Sequence, residues 1–485
     1  MFQKLKELSK DTAIYGISTM VGRFLTFLLV PLYTNVFVKS DYGVVVNIYF
    51  FIAVMNVVFI YGMDSAFLKY SSKIKIGDKK DNFSTPYLSV IIVGVILFFT
   101  VLLLKFDLSA ILSIPSKYIY LLNYAAVILF VDALAVIPFI KLRLERKAKK
   151  FAAFKIINIS VSLILNLYLI LVLKFGIEAI FIANLIASIL TYLLLFPSVI
   201  KNLRFRINRE LLKSLLKFGL PYFPAGLGAM LIQGVDRPIL GYLTNLGTVG
   251  VYSANYKLGI FMMLFVSMFQ FAWQPFFLQN ENEKNAKDIF SKVFTYFALA
   301  GSFVLVFISL FISDIIKINI FGHSIIGSAY WGGLNIVPII LLGYLFYGFY
   351  FVFTAGIFIK EKSIYIPFIA LGGALINILS NFILIPIYGM IGAALSTLAS
   401  YLFMAAALLI VTQKFYKIKY EFLRVGKIFF GIFIIAVFYY WLLNSGSLFF
   451  IYKILLSLLF IIYIFVFVVN KQEIRVLKEK LFKSA

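Results

Sequence analysis

Apolar residues run almost end to end through this 485-residue chain, and short polar breaks cut them into about fourteen segments. The segments fall at 12–37, 43–66, 86–106, 118–140, 152–173, 177–200, 216–243, 248–279, 289–315, 332–359, 364–387, 390–413, 425–443 and 448–470. A membrane-spanning helix needs roughly 20 apolar residues, and these segments match that length. The longest break, 68–85, is too short to fold as a domain. The pattern predicts an all-α polytopic membrane protein of about 14 transmembrane helices.

Charge then sets an orientation. The breaks at 1–11, 68–85, 141–155, 201–217, 280–292, 360–363, 414–427 and 471–485 hold 36 of the 45 Lys and Arg residues. The opposite breaks hold six: Lys39, Lys105, Lys117, Lys174, Lys317 and Lys453. Arg23, Arg237 and Lys257 lie within apolar segments. Basic loops stay in the cytoplasm, so both termini are expected there and the span count is expected to be even. Residues 1–11 read as a basic lead-in to the first span, with no separate cleavable signal peptide.

Composition narrows the chemistry. The chain is 63% hydrophobic with a mean hydropathy of +1.01. A soluble domain is about half apolar, so lipid is the expected solvent. A net charge of +25 would suggest nucleic acid in a soluble protein. Here it lies beside the membrane, where anionic head groups account for it. There is no cysteine and a single histidine, His323, in a loop, so neither a metal site nor a cofactor is expected. Phosphate-binding glycine loops, nucleophile elbows and zinc motifs are missing from the sequence. With only short loops, a non-enzymatic function is expected.

An internal repeat follows from a gap-free match. Pro31, Gly43, Val44 and Tyr49 align with Pro238, Gly250, Val251 and Tyr256. A second match pairs Gly176 with Gly389, each between the fifth and sixth spans of its half. Six spans per repeat is an even number, so the halves are expected to be parallel, about an axis along the membrane normal. The expected division is 1–215, 216–414, and 415–485 for the last two spans with a basic tail.

The chain resembles the polysaccharide-transporter branch of the multidrug/oligosaccharidyl-lipid/polysaccharide (MOP) exporter superfamily. The resemblance is carried by Thr12-Ala-Ile-Tyr-Gly16, Pro31-Leu-Tyr-Thr-Asn35, Asp41-Tyr-Gly43 and Tyr61-Gly-Met-Asp64. Further carriers are the basic 142–151 stretch, Phe218-Gly-Leu-Pro221, Asp236-Arg237, and the run from Asn377 through Asn381, Pro386 and Gly389 to Gly392. It implies two V-shaped lobes, as in the drug-exporting MATE relatives, plus two extra C-terminal helices. It also implies a Wzx-like flippase in the bacterial inner membrane. Its substrate would be an undecaprenyl-diphosphate-linked oligosaccharide, an O-antigen, capsule or exopolysaccharide repeat unit. Implied partners are membrane lipids and the polysaccharide polymerase and chain-length machinery; no nucleic acid is implied. The alternatives are a small-molecule or drug antiporter and a membrane glycan-assembly enzyme.

An ionisable residue inside a span is costly, so it is a candidate functional residue. Arg23, Arg237 and Lys257 are candidate cleft cations for a diphosphate, because guanidinium and ammonium groups match phosphate oxygens. In the resembling lipid II flippases an Arg of the first span faces the cavity, which is the role expected of Arg23. Asp236, Asp132 and Asp64 are candidates for coupling or charge balance. Adjacent helical residues point about 100° apart, so Asp236 and Arg237 are each expected to find a partner other than the other. Asp64 is expected to cap a helix or contact Lys69. Gln233, Gln270, Trp273 and Gln274 are candidate sugar contacts, with amides and a ring face suited to hydroxyl-rich rings. Asn158, Asn166, Asn377 and Asn381 are expected to hydrogen-bond helices together. Tyr344, Tyr347 and Tyr350 recur at helical spacing and are a cleft candidate. The stretch 211–216 and the tail at Ile474, Leu477 and Leu481 read as interfacial helices.

Overall fold

A computed structural model describes residues 16, 20–22, 24–72, 74–320, 322–447, 449–470 and 473. The first helices are α1 (Leu29–Val36), α2 (Lys39–Ile60), α3 (Met63–Ser72), α4 (Lys79–Leu103), α5 (Lys105–Ile111), α6 (Leu121–Leu144), α7 (Ala148–Leu167) and α8 (Glu178–Asn202). Next come α9 (Arg209–Gly219), α10 (Tyr222–Gly234), α11 (Asp236–Leu243), α12 (Leu246–Tyr256), α13 (Ile260–Asn280) and α14 (Ala286–Lys317). The last are α15 (Val337–Ile359), α16 (Tyr365–Tyr388), α17 (Met390–Phe415), α18 (Phe422–Asn444) and α19 (Phe450–Phe467).

Among the described residues, twelve helical spans are long and apolar enough to cross a membrane. The bent pair α9 and α10 gives a thirteenth when taken as one span, and the shorter apolar helix Met20–Val36 stands where the first span is expected. The fold is thus a multi-pass helical membrane protein of about the expected span number. Two parallel six-span repeats are followed by α18 and α19.

The seventh span departs most from expectation. The sequence suggests one run over 216–243, whereas the chain bends by 43° between α9 and α10 and breaks again at Val235. Pro221 precedes α10, and Pro238 follows the second break by three residues. Proline has no N–H to give to the preceding turn, so the backbone around it is released. α9 carries Leu211 and Leu215 buried among polar neighbours, the amphipathic pattern expected there. The eighth span is interrupted too, by a 3₁₀ turn at Lys257–Gly259.

Contacts between the repeats close one face of the molecule, the face away from the basic loops. Gly43 of α2 lies so close to Leu246 that an added β-carbon would strike the Leu246 carbonyl oxygen. Gly250 of α12 lies equally close to the Lys39 carbonyl oxygen. A short antiparallel hairpin, Asn319–Ile320 with His323–Ser324, adds to this seal. Asn35 donates from Nδ2 to the Ser324 carbonyl at 2.8 Å, and the Tyr330 hydroxyl donates to the Phe37 carbonyl at 2.8 Å. The hairpin is not visible in the hydropathy pattern.

The basic face is tied by charge. Arg204 pairs with Asp78 at 3.1 Å and Asp81 at 3.3 Å, joining the 74–78 loop and the start of α4 to the linker ahead of α9. The Asp81 backbone N–H, and then Arg204, hold the Asp78 carboxyl below its ordinary range. Near the C-terminus, Glu473 accepts from Tyr296 at 2.6 Å and pairs with Arg424 at 2.8 Å. Burial works to raise the Glu473 carboxyl, but these bonds and the Asn470 N–H outweigh it and hold it low. The tail positions Ile474, Leu477 and Leu481 lie outside the described residues.

Candidate functional site

Two adjoining cavities lie between the repeats, of about 470 and 510 Å³. Their walls come from the Met20–Val36 helix, α2, α7, α8, α10, α11, α12, α13 and α15. Thr26, Ile159, Gln233, Arg237 and Lys257 line both. The site therefore sits where the broken seventh and eighth spans face the first lobe.

Arg237 is the best-defined cation. Its Nη1 donates to the Gln233 carbonyl at 2.5 Å and lies 3.1 Å from Asp236 Oδ1. Its guanidinium carbon lies 4.6 Å from the Tyr256 ring centre. Asp236 is 1% exposed and accepts from the Tyr252 hydroxyl at 2.5 Å, with Thr397 Oγ1 at 3.5 Å. The neighbours do bond each other, contrary to the 100° argument. The length of an arginine side chain lets Nη1 fold back over the preceding turn to reach both Asp236 and the Gln233 carbonyl. Each also has a further partner, as expected. Asp236 is absent from the cavity wall and sits behind Arg237 as its counter-ion.

Lys257 lines both cavities at the 3₁₀ turn, with Nζ 5.5 Å from the Tyr42 ring centre. It has no ion pair among the described residues. Arg23 lies outside the described residues; its neighbours Gly22 and Thr26 line the second cavity.

Lys155 is a third cavity cation, missed by the sequence reading, which placed it in a loop. It is on α7, with Nζ 4.8 Å from the Phe139 ring centre, and it lies within electrostatic reach of Asp132 of α6 without forming a direct ion pair. A signal was present. Lys155, Asn158, Ser162 and Asn166 recur at spacings of three and four, the polar stripe of one helix face. The stripe lies along the cavities. Asn158 donates to Thr191 Oγ1 at 2.8 Å, and Asn166 accepts from the Tyr33 hydroxyl at 2.8 Å. These two join helices as expected. Asn377 and Asn381 instead bond each other within α16.

The sugar candidates separate. Gln233 is in the central wall, but Gln270, Trp273 and Gln274 line a different, 130 Å³ cavity with Tyr350. Trp273 is 3% exposed, donates to the Val352 carbonyl at 3.2 Å and is packed among phenylalanines. Tyr344 is in the second cavity's wall, and Tyr347 packs on Tyr401. Asp64 lines none of these cavities and has no ion pair with Lys69. That ammonium lies over the Phe218 ring at 3.7 Å. The buried hydroxyls of Tyr42 and Ser253, both in the central wall, have no hydrogen-bond partner among the described residues.

The walls therefore mix polar and apolar side chains from both lobes, and they are positive. Three cations face the space, and the two nearest carboxylates lie behind two of them. A family model described as polysaccharide biosynthesis protein matches residues 32–324. The chain belongs to that family. An uncharacterized membrane protein of Methanocaldococcus jannaschii is 23% identical over 433 residues, covering 81% of this chain and 83% of that protein. The lipid II flippase MurJ in an inward closed conformation shares the fold with a TM-score of 0.72 at 21% identity, covering 93% of this chain and 98% of MurJ. An inward-facing MATE-family multidrug resistance transporter of the MOP superfamily gives 0.64 at 14% identity, covering 84% and 95%. An outward-facing MATE structure gives 0.54 at 17% identity, covering 87% and 96%. This polysaccharide biosynthesis family member thus has the fold of MOP-superfamily transporters.

Proposed function

We propose that the chain is a flippase that moves an undecaprenyl-diphosphate-linked oligosaccharide from the cytoplasmic to the opposite leaflet by alternating access. The carrying observation is the cation set Arg237, Lys257 and Lys155 around one central space, with Asp236 and Asp132 held behind it. A diphosphate bound there is matched by charge-assisted hydrogen bonds that strengthen away from water. The unpartnered Tyr42 and Ser253 hydroxyls and the Gln233 amide suit a glycan head. A cationic drug would meet the wrong sign of charge.

In this reading Arg23 joins the cleft cations, and Asp64 serves the fold rather than transport. The lobes are 1–215 and 216–414, with 415–485 appended. The protein lies in a bacterial inner membrane with both termini cytoplasmic, and its product feeds polysaccharide polymerase and chain-length machinery. The seal between α2 and α12 supports an inward state, as does the greater likeness to the inward-facing MATE structure.

The test is exposure of a fluorescent undecaprenyl-diphosphate oligosaccharide to an outside reagent in proteoliposomes. Wild-type protein is expected to expose it. Lys257→Gln is expected to slow exposure about tenfold or more, the value of one lost charge-assisted bond. Proton-coupled efflux of organic cations with no glycan exposure would replace this reading with the drug-antiporter one.

A further inference from the structure

The largest of these cavities, about 830 Å³, shares no lining residue with the central pair. It lies between α14, α15 and α18, with one residue of α19 at its end. Near the basic face α18 packs directly on α15, with Phe429 stacked on Phe346 at 5.7 Å. Further along, the two helices part. Ile432, Ile435 and Tyr439 then face Leu342, Ile339 and Pro338 across open space. Protein interiors are close-packed, so an apolar gap of this size in a membrane protein is a place for hydrocarbon.

Its far end is polar, at the level of the breaks opposite the basic loops. Lys453 is 4% exposed, inside the otherwise apolar helix α19. Its Nζ lies 2.6 Å from Asp314 Oδ2 and donates to Ser313 Oγ at 2.9 Å. Lys317, one turn beyond Ser313, has Nζ 5.2 Å from the Trp331 ring centre and no ion pair among the described residues. Two ammonium groups thus meet one carboxylate at the mouth of an apolar cavity. A structural pin between α19 and α14 accounts for Lys453 and Asp314. It accounts for neither the cavity nor Lys317.

We propose that this cavity binds an anionic glycerophospholipid of the leaflet opposite the basic loops. An acyl chain lies between α15 and α18, and the phosphate meets Lys317 and Lys453. Charge complementarity selects an anionic head group, since the end carries one net positive charge. The separation from the central cavities argues against the transported carrier lipid as occupant.

The three tryptophans allow a direct test in the full chain. Trp331 lines the cavity, whereas Trp441 is 65% exposed on the outer surface of α18. One version keeps only Trp331 (Trp273→Phe, Trp441→Phe) and another only Trp441 (Trp273→Phe, Trp331→Phe). Each is reconstituted with acyl-brominated phosphatidylglycerol or phosphatidylcholine at equal fractions. At Trp331, brominated phosphatidylglycerol is expected to quench with about fivefold preference, the scale of one lysine beside a lipid phosphate. At Trp441 no preference is expected. Lys317→Gln removes the preference, and so does Lys453→Gln. Should Lys453→Gln fail to fold, Gly332→Leu remains. A β-carbon there meets nothing within 4 Å, so the larger side chain fills the cavity and lowers quenching by both lipids. Equal quenching by both head groups at Trp331 overturns the proposal. Displacement of the phosphatidylglycerol by a brominated polyprenyl phosphate overturns it too, and assigns the cavity to the carrier lipid.

Discussion

Gly43 and Gly250 perform the same task from opposite sides of one contact. Gly43 rests on the Leu246 carbonyl, and Gly250 rests on the Lys39 carbonyl. The offset that matches Pro31 to Pro238 also carries Gly43 onto Gly250 and Lys39 onto Leu246. Each contact is therefore the image of the other, as a twofold axis between repeats requires. Gly43→Ala and Gly250→Ala are expected to destabilise the sealed state by about 1–3 kcal/mol each, the usual cost of overpacking. The double variant should cost less than the sum, because one opened contact relieves the other. The check is labelling of a cysteine at Ser253 by an impermeant reagent from the sealed face. Labelling in both single variants no faster than in the parent would show that this contact does not hold the face sealed.

The span plan was legible because lipid demands long apolar helices with all backbone bonds internal. Which side of each helix faces the site was not. Lipid and protein interior are equally apolar, so hydropathy does not separate them. Trp273 illustrates this: suited to sugar by type, it is buried against Phe277 and Phe290. Lys155 was hidden by neighbours of its own charge, Lys149 and Lys150, which made α7 look like loop. Its polar stripe was readable by period alone. The breaks around α10 were only half legible: Pro221 and Pro238 were visible, but the bend between α9 and α10 also depends on how α9 meets α3, where Gly62 and Gly219 touch backbone to backbone. Gly62 there has φ +78°, a conformation that favours glycine.

Asp236 and Arg237 make a prediction that separates structure from transport. Asp236 is buried and bonded to Arg237 and Tyr252. Removing one partner of a buried ion pair costs about 3–5 kcal/mol, since the other charge is left uncompensated. Asp236→Asn should therefore lower stability in denaturant melts in detergent. Asp236→Asn with Arg237→Gln should recover much of that stability while transport stays lost. Wild-type stability in Asp236→Asn would show that Arg237 does not depend on it.

Lys155 and Asp132 invite the same comparison in the first lobe. If the pair were structural alone, neutralising both together would leave transport intact. As a cavity cation, Lys155 should be missed even then. Lys155→Gln with Asp132→Asn is expected to fold normally and to transport about tenfold more slowly, the scale of one charge-assisted bond. The measurement is initial rate in proteoliposomes alongside a melting curve. An unchanged rate in the double variant would remove Lys155 from the substrate site.

The seal itself can be locked. The chain has no cysteine, so introduced pairs are free of background chemistry. Asn35 lies beside Ser324, with its Nδ2 at 2.8 Å from the Ser324 carbonyl, in the contact between the first span and the hairpin. The alternating access proposed above requires this contact to part once per cycle. Asn35→Cys with Ser324→Cys should crosslink under mild oxidant, stop transport, and regain it when reductant is added. Each single variant should ignore the oxidant. The crosslinked fraction is read on a gel after protease cleavage of the 280–292 loop, and transport is measured on the same sample. Full transport at complete crosslinking would mean that the substrate passes without opening this face, and the path would then have to run along the lobe surfaces rather than between them.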